Sequence, residues 1–202
     1  MQMPSYLGCC NAVDRNFGNL IQTLKDEGIY DNTVIIYTSD HGCHFRTRNA
    51  EYKRSCHDSS LKVPLVITGG AFTGGGRVKD LVSLIDLPST VLDIAGVKVP
   101  DYFMGSSLQS LKGHESVYVQ ISESQRGRAI RTDKWKYSVT AKNADEPFAE
   151  SYREDFLYDL QNDKHERNNL IDNPDYTEVK QQLKQLLIEY MKKAGEPACE
   201  II

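Results

Sequence analysis

Residues 40–62 lie between two apolar runs and hold many of the side chains that could do chemistry. Three of the five histidines fall here with an aspartate and a lysine: His41, His44, His57, Asp40 and Lys53. A loop that only joins two strands needs turn residues, whereas buried ionisable groups carry a desolvation cost. The crowding therefore predicts a functional site.

Asp40 and His41 directly follow the first apolar run and precede Gly42. Ligands of α/β sheets bind at the carboxyl ends of strands, and a sharp turn at a glycine lets adjacent Asp and His side chains reach one metal ion. The same residues also fit a plain strand-to-loop turn with an exposed aspartate. The residues alone leave both interpretations open.

Lys53 lies thirteen residues after Asp40. Its flexible ammonium group suits the neutralisation of a phosphoryl or sulfuryl oxygen, although most lysines are simply solvated. Arg46 and Arg48 suit a bidentate grip on a carboxylate or a second sulfate, or are solvated loop charges. Spacing does not decide between these interpretations.

Two local arrangements of cysteine and histidine are less favoured. Cys56 with His57, or a local Ser-His-Asp set, would make a nucleophile, but catalytic partners usually come from separate elements of the fold. Cys43 and His44 lack the two-residue gap that is typical of zinc ligands, so a packed pair is the better interpretation.

Composition excludes several protein classes. The chain has 202 residues, 40% of them hydrophobic, and a net charge of −4, which gives no electrostatic basis for binding nucleic acid. It shows neither a signal-peptide pattern nor an apolar run long enough to span a bilayer. Five cysteines without a paired spacing describe neither a disulfide framework nor a zinc knuckle.

The elements that must position the loop follow an α/β pattern. Apolar periodicity predicts a helix over 11–28, and continuous apolar runs predict buried strands over 34–39 and 63–68. A second helix is predicted over 81–96, with Pro88 near its first turn. These elements predict part of a sheet flanked by helices.

The pattern changes beyond about residue 112. Four short runs separated by polar turns predict a small antiparallel sheet, and the apolar spacing over 176–191 predicts a helix that closes it. The sequence therefore predicts two parts: 1–112 as a portion of an α/β domain and 113–202 as a small α+β subdomain.

The order of these elements resembles the sulfatase family of the alkaline phosphatase superfamily. NAVDRNFGNLIQTLKDEGIYDNTVIIYTSDHG is similar to that family's helix and metal-binding strand end, and KRSCHDSSLKVPLVI keeps its spacing from an active-site Lys to a Val-Pro strand start. LVSLIDLPSTVLDIAGVKVPDYFMGSSL, RAIRTDKWKYSVT and LYDLQNDKHERNNLIDNPDY resemble its later segments. The resemblance covers essentially the whole chain.

The resemblance implies a mixed, alkaline-phosphatase-like sheet and hydrolysis of a sulfate ester. It assigns Asp40 and His41 as Ca²⁺ ligands and Lys53 as a contact to the sulfate. Arg46, Arg48, His44 and His57 become candidates for substrate binding, and a sulfated glycan is favoured over a small aryl sulfate. His57 and Asp58 stand where many relatives carry a Tyr-Glu pair, which limits the substrate assignment.

One part of the family pattern is absent. The Cys-x-Pro/Ala/Ser-x-Arg motif, whose cysteine becomes formylglycine, does not occur in this sequence. The chain thus resembles the C-terminal half of a sulfatase, and formylglycine is expected only in the missing N-terminal half. We expect the chain alone to be inactive, and to dock with that half or self-associate through an exposed sheet edge.

Other functions stay open at this stage. A phosphodiesterase or phosphomutase of the same superfamily would use a similar Ser-Asp-His-Gly turn in a two-metal site. A non-catalytic, truncated interaction module would keep the same elements. The compartment is undetermined from the residues, while the resemblance implies export to a periplasmic, secreted or lysosomal location.

Overall fold

The computed structural model describes residues 3–110, 112–123, 125–141 and 148–202. These residues form two compact units. One comprises the chain up to Ser39 together with Pro64–Arg77, and the other comprises Asp40–Val63 and Val78–Ile202. In the described ranges, no helix has both the length and the apolar character needed to cross a membrane.

The first unit contains helix α1 (Met3–Asp26) and strands β1 (Ile35–Thr38) and β2 (Leu65–Thr68). Helix α1 ends before Gly28, whose φ of 69° suits a glycine. The strands pair antiparallel, with Ile35 opposite Thr68. Among the described residues they pair only with each other.

The second unit contains two short helices and a five-stranded sheet. The helices are α2 (Asp58–Leu61) and α3 (Asp86–Ile94). The strands are β3 (Ser116–Glu123), β4 (Gln125–Thr132), β5 (Trp135–Ala141), β6 (Ser151–Asp159) and β7 (Glu200–Ile201). The first four form an antiparallel meander, and β7 pairs parallel to β6.

Helix α4 (Thr177–Lys193) covers one face of this sheet. Its Leu183, Leu187 and Met191 are buried and recur at helical spacing. They pack against buried side chains of the sheet, including Ile130 and Leu157. Burial of this apolar face is the main stabilisation of the small sheet.

The structure confirms the predicted fold class. An α/β chain with a small antiparallel sheet and a closing helix is present, and every predicted helix and strand is found. Helix α1 begins eight residues before the predicted start, and α2 and β7 were not predicted. The prediction that both apolar runs form buried strands is wrong for most of their residues, because Ile35 is buried in β1 and no residue of β2 is buried. The division at residue 112 stays a prediction.

Candidate functional site

Residues 40–62, called the site loop below, rest on the face of the sheet opposite α4. Cys56 is 2% exposed and belongs to a buried cluster with Ala129 and Phe156. Leu61 of α2 packs against the same cluster. The small sheet therefore supports both the closing helix and the site loop.

Gly42 fixes the start of the site loop. Its N–H donates to the carbonyl oxygen of Ser60 over 2.7 Å. A Cβ at this position would lie 2.2 Å from the carbonyl oxygen of Ser59, which is closer than atoms can approach. Only glycine therefore allows the backbone beside His41 to lie against α2.

Asp40, His41 and Lys53 meet at one corner of the loop. The Lys53 Nζ lies 3.0 Å from His41 Nε2, while His41 Nδ1 lies 2.9 Å from the Gly42 carbonyl oxygen. An ammonium group only donates and a carbonyl oxygen only accepts, so this arrangement assigns the proton to Nδ1 and leaves Nε2 as the acceptor. The carboxylate of Asp40 accepts a hydrogen bond from the backbone N–H of His41 over 2.9 Å, and the Asp40 side chain is 83% exposed.

The electrostatics of this corner favour an ionised carboxylate beside an ammonium. Slight desolvation acts to raise the pKa of Asp40, but the attraction of His41, the His41 N–H hydrogen bond and the Lys53 charge together lower it. One exposed carboxylate and one ammonium thus stand side by side. Such a pair can accept a cation and an anion at adjacent positions.

The described residues do not make a complete metal site. They contain no group of three or more His, Cys, Asp or Glu side chains arranged to hold a metal ion. Ca²⁺ takes about six to eight oxygen ligands, whereas this corner offers one exposed carboxylate and an imidazole. The donor set falls short of a calcium site, so we derive no catalytic step through a metal ion.

The two arginines of the loop have different surroundings. Arg48 donates through Nη1 to the Glu166 carbonyl oxygen over 2.6 Å and through Nη2 to the His165 carbonyl oxygen over 2.5 Å. Arg46 is exposed and has a φ of 62°. Within the described ranges its guanidinium makes no hydrogen bond or ion pair. Their roles in substrate binding stay predictions.

His44 is 2% exposed, and neither of its ring nitrogens has a hydrogen-bond partner in the described part of the chain. Burial, with a smaller contribution from the Arg48 charge, lowers the pKa of His44. The ring is therefore neutral near pH 7. Its role in substrate binding stays a prediction.

His57 is part of a neutral polar cluster. Its Nδ1 lies 3.1 Å from Ser55 Oγ, its Nε2 lies 3.3 Å from the Tyr158 hydroxyl, and its ring stacks against Phe156 at 4.5 Å. Burial and the positive charges of Arg48 and Lys136 lower the pKa of His57 to about 3. Its role in substrate binding also stays a prediction.

The Cys56 thiol is not suited to act as a nucleophile. Burial raises the pKa of its thiol to about 11. A nucleophilic cysteine needs a thiolate, and Cys56 stays protonated at neutral pH. The geometry of His57, which faces a serine and a tyrosine, adds to the argument against a Cys56–His57 pair.

Sequence reasoning missed a buried charge cluster beneath the loop. Lys136 is fully buried and its ammonium donates to Asp58 Oδ1 and to Glu166 Oε1, the latter over 2.5 Å. Glu166 also accepts the Asp58 backbone N–H over 2.9 Å. Desolvation would raise the pKa of Asp58, but Lys136 and then Arg131 lower it. Lys136 is the second residue of β5 and lies at one of its alternating polar positions, so the sequence gives no signal that it is buried.

Comparison with protein families gives two overlapping matches. Residues 50–193 match the family described as "N-sulphoglucosamine sulphohydrolase, C-terminal". Residues 1–97 match the family described as "Sulfatase". The two matches overlap over residues 50–97 and together cover most of the chain.

Known proteins of this kind are similar over much or all of the chain. N-acetylglucosamine-6-O-sulfatase of Bacteroides thetaiotaomicron is 30% identical over 207 residues, covering 95% of this chain and 36% of that protein. Arylsulfatase K of Xenopus laevis is 37% identical over 106 residues, covering 52% of this chain and 20% of that protein. The chain thus spans about a third or less of these two relatives.

A solved structure shows the same fold. The structure of BT4656 in complex with its substrate D-glucosamine-2-N,6-O-disulfate matches with a TM-score of 0.75 and 29% identity. The match covers 94% of this chain and 40% of that chain. The family matches, the relatives and this shared fold agree, and the chain belongs to the sulfatase family of the alkaline phosphatase superfamily.

Proposed function

We propose that this chain is the C-terminal part of a sulfuric ester hydrolase and supplies one side of its active site. The observation that carries the proposal is the contact of the Lys53 ammonium with His41, beside the exposed carboxylate of Asp40. In this role Lys53 contacts a sulfate oxygen and stabilises the charge that develops on the leaving group. The nucleophile, formylglycine in this family, belongs to residues outside this chain.

Asp40 and His41 are proposed as two ligands of a shared Ca²⁺ site. Support comes from the exposure of the Asp40 carboxylate and its lowered pKa, which keeps it ionised at neutral pH. The remaining oxygen ligands would come from residues outside this chain. When bound, the ion would offset the negative charge of the sulfate group.

The proposed substrate is a sulfated sugar or glycan. Support comes from the N-acetylglucosamine-6-O-sulfatase and from the substrate of BT4656. Arg46, His44 and His57 are proposed to bind this substrate. Arg48 is proposed with them, although two of its donors are engaged by backbone carbonyls.

The proposed partner is the N-terminal part of the same sulfatase. Helix α1 has no buried residue, and Leu7 and Leu20 are 58% and 53% exposed. A helix face of this kind buries its apolar side against another element. Because the chain spans 36% of the Bacteroides relative, the occupant we propose is the missing polypeptide. Export to a periplasmic, secreted or lysosomal location is proposed from the family alone.

The test begins with the source DNA upstream of the Met1 codon. We expect the reading frame to continue through a Cys-x-Pro/Ala/Ser-x-Arg motif. The full product should then release sulfate from sulfated glucosamine, while the chain alone should not. An in-frame stop, or a full product that releases no sulfate, would contradict the proposal and favour a non-catalytic module.

Metal removal distinguishes the proposed reaction from a two-metal phosphodiesterase. Activity of the full product should fall after treatment with a calcium chelator and return with Ca²⁺. Size-exclusion chromatography of the chain alone with the separately made N-terminal part should give a complex. Rescue by Zn²⁺ together with phosphodiester hydrolysis would count against the proposed metal. Self-association of the chain without complex formation would count against the proposed partner.

A further inference from the structure

The segment that carries Lys53 is held by the end of the β3–β4 hairpin. Gln125, the first residue of β4, donates from Nε2 to the Arg54 carbonyl oxygen over 2.7 Å. Glu123, the last residue of β3, accepts a hydrogen bond from Arg54 Nη2. Glu123 and Gln125 face each other across the hairpin, and we call this pair the hairpin end.

Local hydrogen bonds make the segment a compact turn. Asn49 Oδ1 accepts the Glu51 N–H over 2.9 Å, and Asn49 Nδ2 donates to the Arg54 carbonyl oxygen over 2.8 Å. Arg54 Nη1 donates to Glu51 Oε2 over 2.9 Å. The Arg54 carbonyl, adjacent to Lys53, therefore accepts one side-chain amide from the loop and one from the hairpin end.

The contacts differ in how well they fix the backbone. The Glu123 side chain is 68% exposed, and an ion pair at such a position contributes little energy. The Gln125 side-chain amide donates a hydrogen bond to a backbone carbonyl, that of Arg54, at a partly buried position. The Arg54 hydrogen bond and charge, followed by a weaker effect of Lys53, lower the pKa of Glu123. The hairpin end therefore lies in the field of both cations.

We propose that Gln125 and Glu123 are positioning residues that hold the Lys53 ammonium against His41. They act through the Arg54 carbonyl and guanidinium and need not touch the substrate. The small C-terminal sheet then sets the position of the Lys53 ammonium within the same compact unit. The role of Lys53 rests on the proposed function, whereas the hold on its loop does not.

Limited trypsin digestion of the 202-residue chain tests that hold directly, because trypsin cleaves after Lys53 and Arg54 and neither is altered. The variants are Gln125→Ala and Gln125→Ala/Glu123→Ala, with the conservative Glu123→Gln beside them. The control is Gln161→Ala, which removes an exposed amide that donates to Asp133 over 3.3 Å. Cleavage after the exposed Lys98 gives the reference rate.

We expect the initial rate of cleavage at Lys53 and Arg54 to rise about five- to tenfold in the double variant. The cleavage rate should rise somewhat less in Gln125→Ala. In Glu123→Gln and Gln161→Ala it should stay within about twofold of the wild-type rate. An unchanged rate in the double variant would overturn the proposal, whatever the chain's activity proves to be. A rise in the Lys98 reference rate in the double variant would reveal unfolding, and Gln125→Ala alone would then decide.

The full-length product gives the second readout. The double variant should lower kcat about tenfold and leave KM within about twofold, because the displaced ammonium is needed most in the transition state. In a Lys53→Ala background the same changes should have no further effect. Faster digestion with unchanged kcat, or an additive loss without Lys53, would overturn the positioning role. A wild-type product with no sulfatase activity would refute the proposed function alone.

Discussion

The charge cluster around Lys136 and the one around Asp40 both combine positive and negative side chains. They differ in how far the charged groups are buried and paired. At Lys136 an ammonium with no exposed surface donates to two carboxylates, and Glu166 is only 2% exposed. At Asp40 the carboxylate is 83% exposed, and its neighbours are one imidazole and one lysine. The first arrangement is closed, and the second is open to solvent.

This difference separates groups that stabilise the fold from groups that could meet a ligand. Buried charges persist only when they are paired and hydrogen-bonded, so the Lys136 centre holds the site loop to the sheet. Exposed charges of both signs contribute little to stability. Their placement beside the glycine-dependent turn at Gly42 is consistent with the proposed binding role.

The largest effect is expected from Lys136→Met. Removing the ammonium leaves the buried Glu166 carboxylate without its cation, while Asp58 keeps its ion pair with Arg131, and this should lower the free energy of unfolding by about 3–5 kcal/mol. Urea denaturation measures this change. Lys134→Met is the matched control, because Lys134 is 44% exposed and should lose no more than about 1 kcal/mol. Equal losses in the two variants would show that the buried centre has no special role.

Lys53→Ala should lower turnover strongly and change stability little. In the full-length product we expect turnover of a sulfated sugar to fall about 100- to 1,000-fold, which is the usual cost of losing one charge-stabilising group. The free energy of unfolding should change by less than about 0.5 kcal/mol. Sulfate release and urea denaturation measure the two quantities. A stable variant with full turnover would remove Lys53 from the site.

Gly42→Ala tests the junction between the two regions. A Cβ 2.2 Å from the Ser59 carbonyl oxygen forces the backbone apart, which should cost about 1–3 kcal/mol of unfolding free energy. Gly18→Ala in α1 is the matched control, since a Cβ there meets nothing within 4 Å. That change should stabilise the helix by up to about 1 kcal/mol. Both are measured by urea denaturation, and a neutral Gly42→Ala would contradict the close approach.

The smallest effect concerns pH. The folded-state pKa of His57 is about 3 against an ordinary value of 6.5, so the unfolded chain binds the extra proton first as pH falls. The stability that neutral His57 allows is present above pH 6.5 and is lost as pH falls toward 3. In His57→Gln, the loss of unfolding free energy between about pH 7 and 5 should be smaller by about 1 kcal/mol, allowing for partial exposure. An identical pH dependence would show that the pKa of His57 does not differ between the folded and unfolded states.

Patterns within one element were readable from the sequence. The apolar spacing of Val179, Leu183, Leu186, Leu187 and Tyr190 predicted α4, and alternation predicted four strands of the small sheet. The early start of α1 was missed because its first turns carry no buried residue to mark a periodic face. The two-residue β7 was missed because it exists only through pairing with a distant strand.

Contacts between residues far apart in the chain could not be predicted from the sequence. Arg48 bonds carbonyls 117 and 118 residues away, and nothing in the loop's own sequence indicates that partner. The link between Lys53 and His41 depends on how the loop folds back on itself. Residue types predicted which chemistry the loop could offer, whereas tertiary structure decides which groups are already engaged.

The same long spacing sets an order for biosynthesis. Arg48 leaves the ribosome 118 residues before Glu166, whose carbonyl oxygen accepts a hydrogen bond from Arg48 and whose carboxylate accepts the Asp58 backbone N–H. At a synthesis rate of about 5–20 residues per second, Arg48 waits roughly 6–24 s for this acceptor. The site loop thus gains these contacts late in synthesis, and a ribosome that stops before residue 165 would release the loop without them.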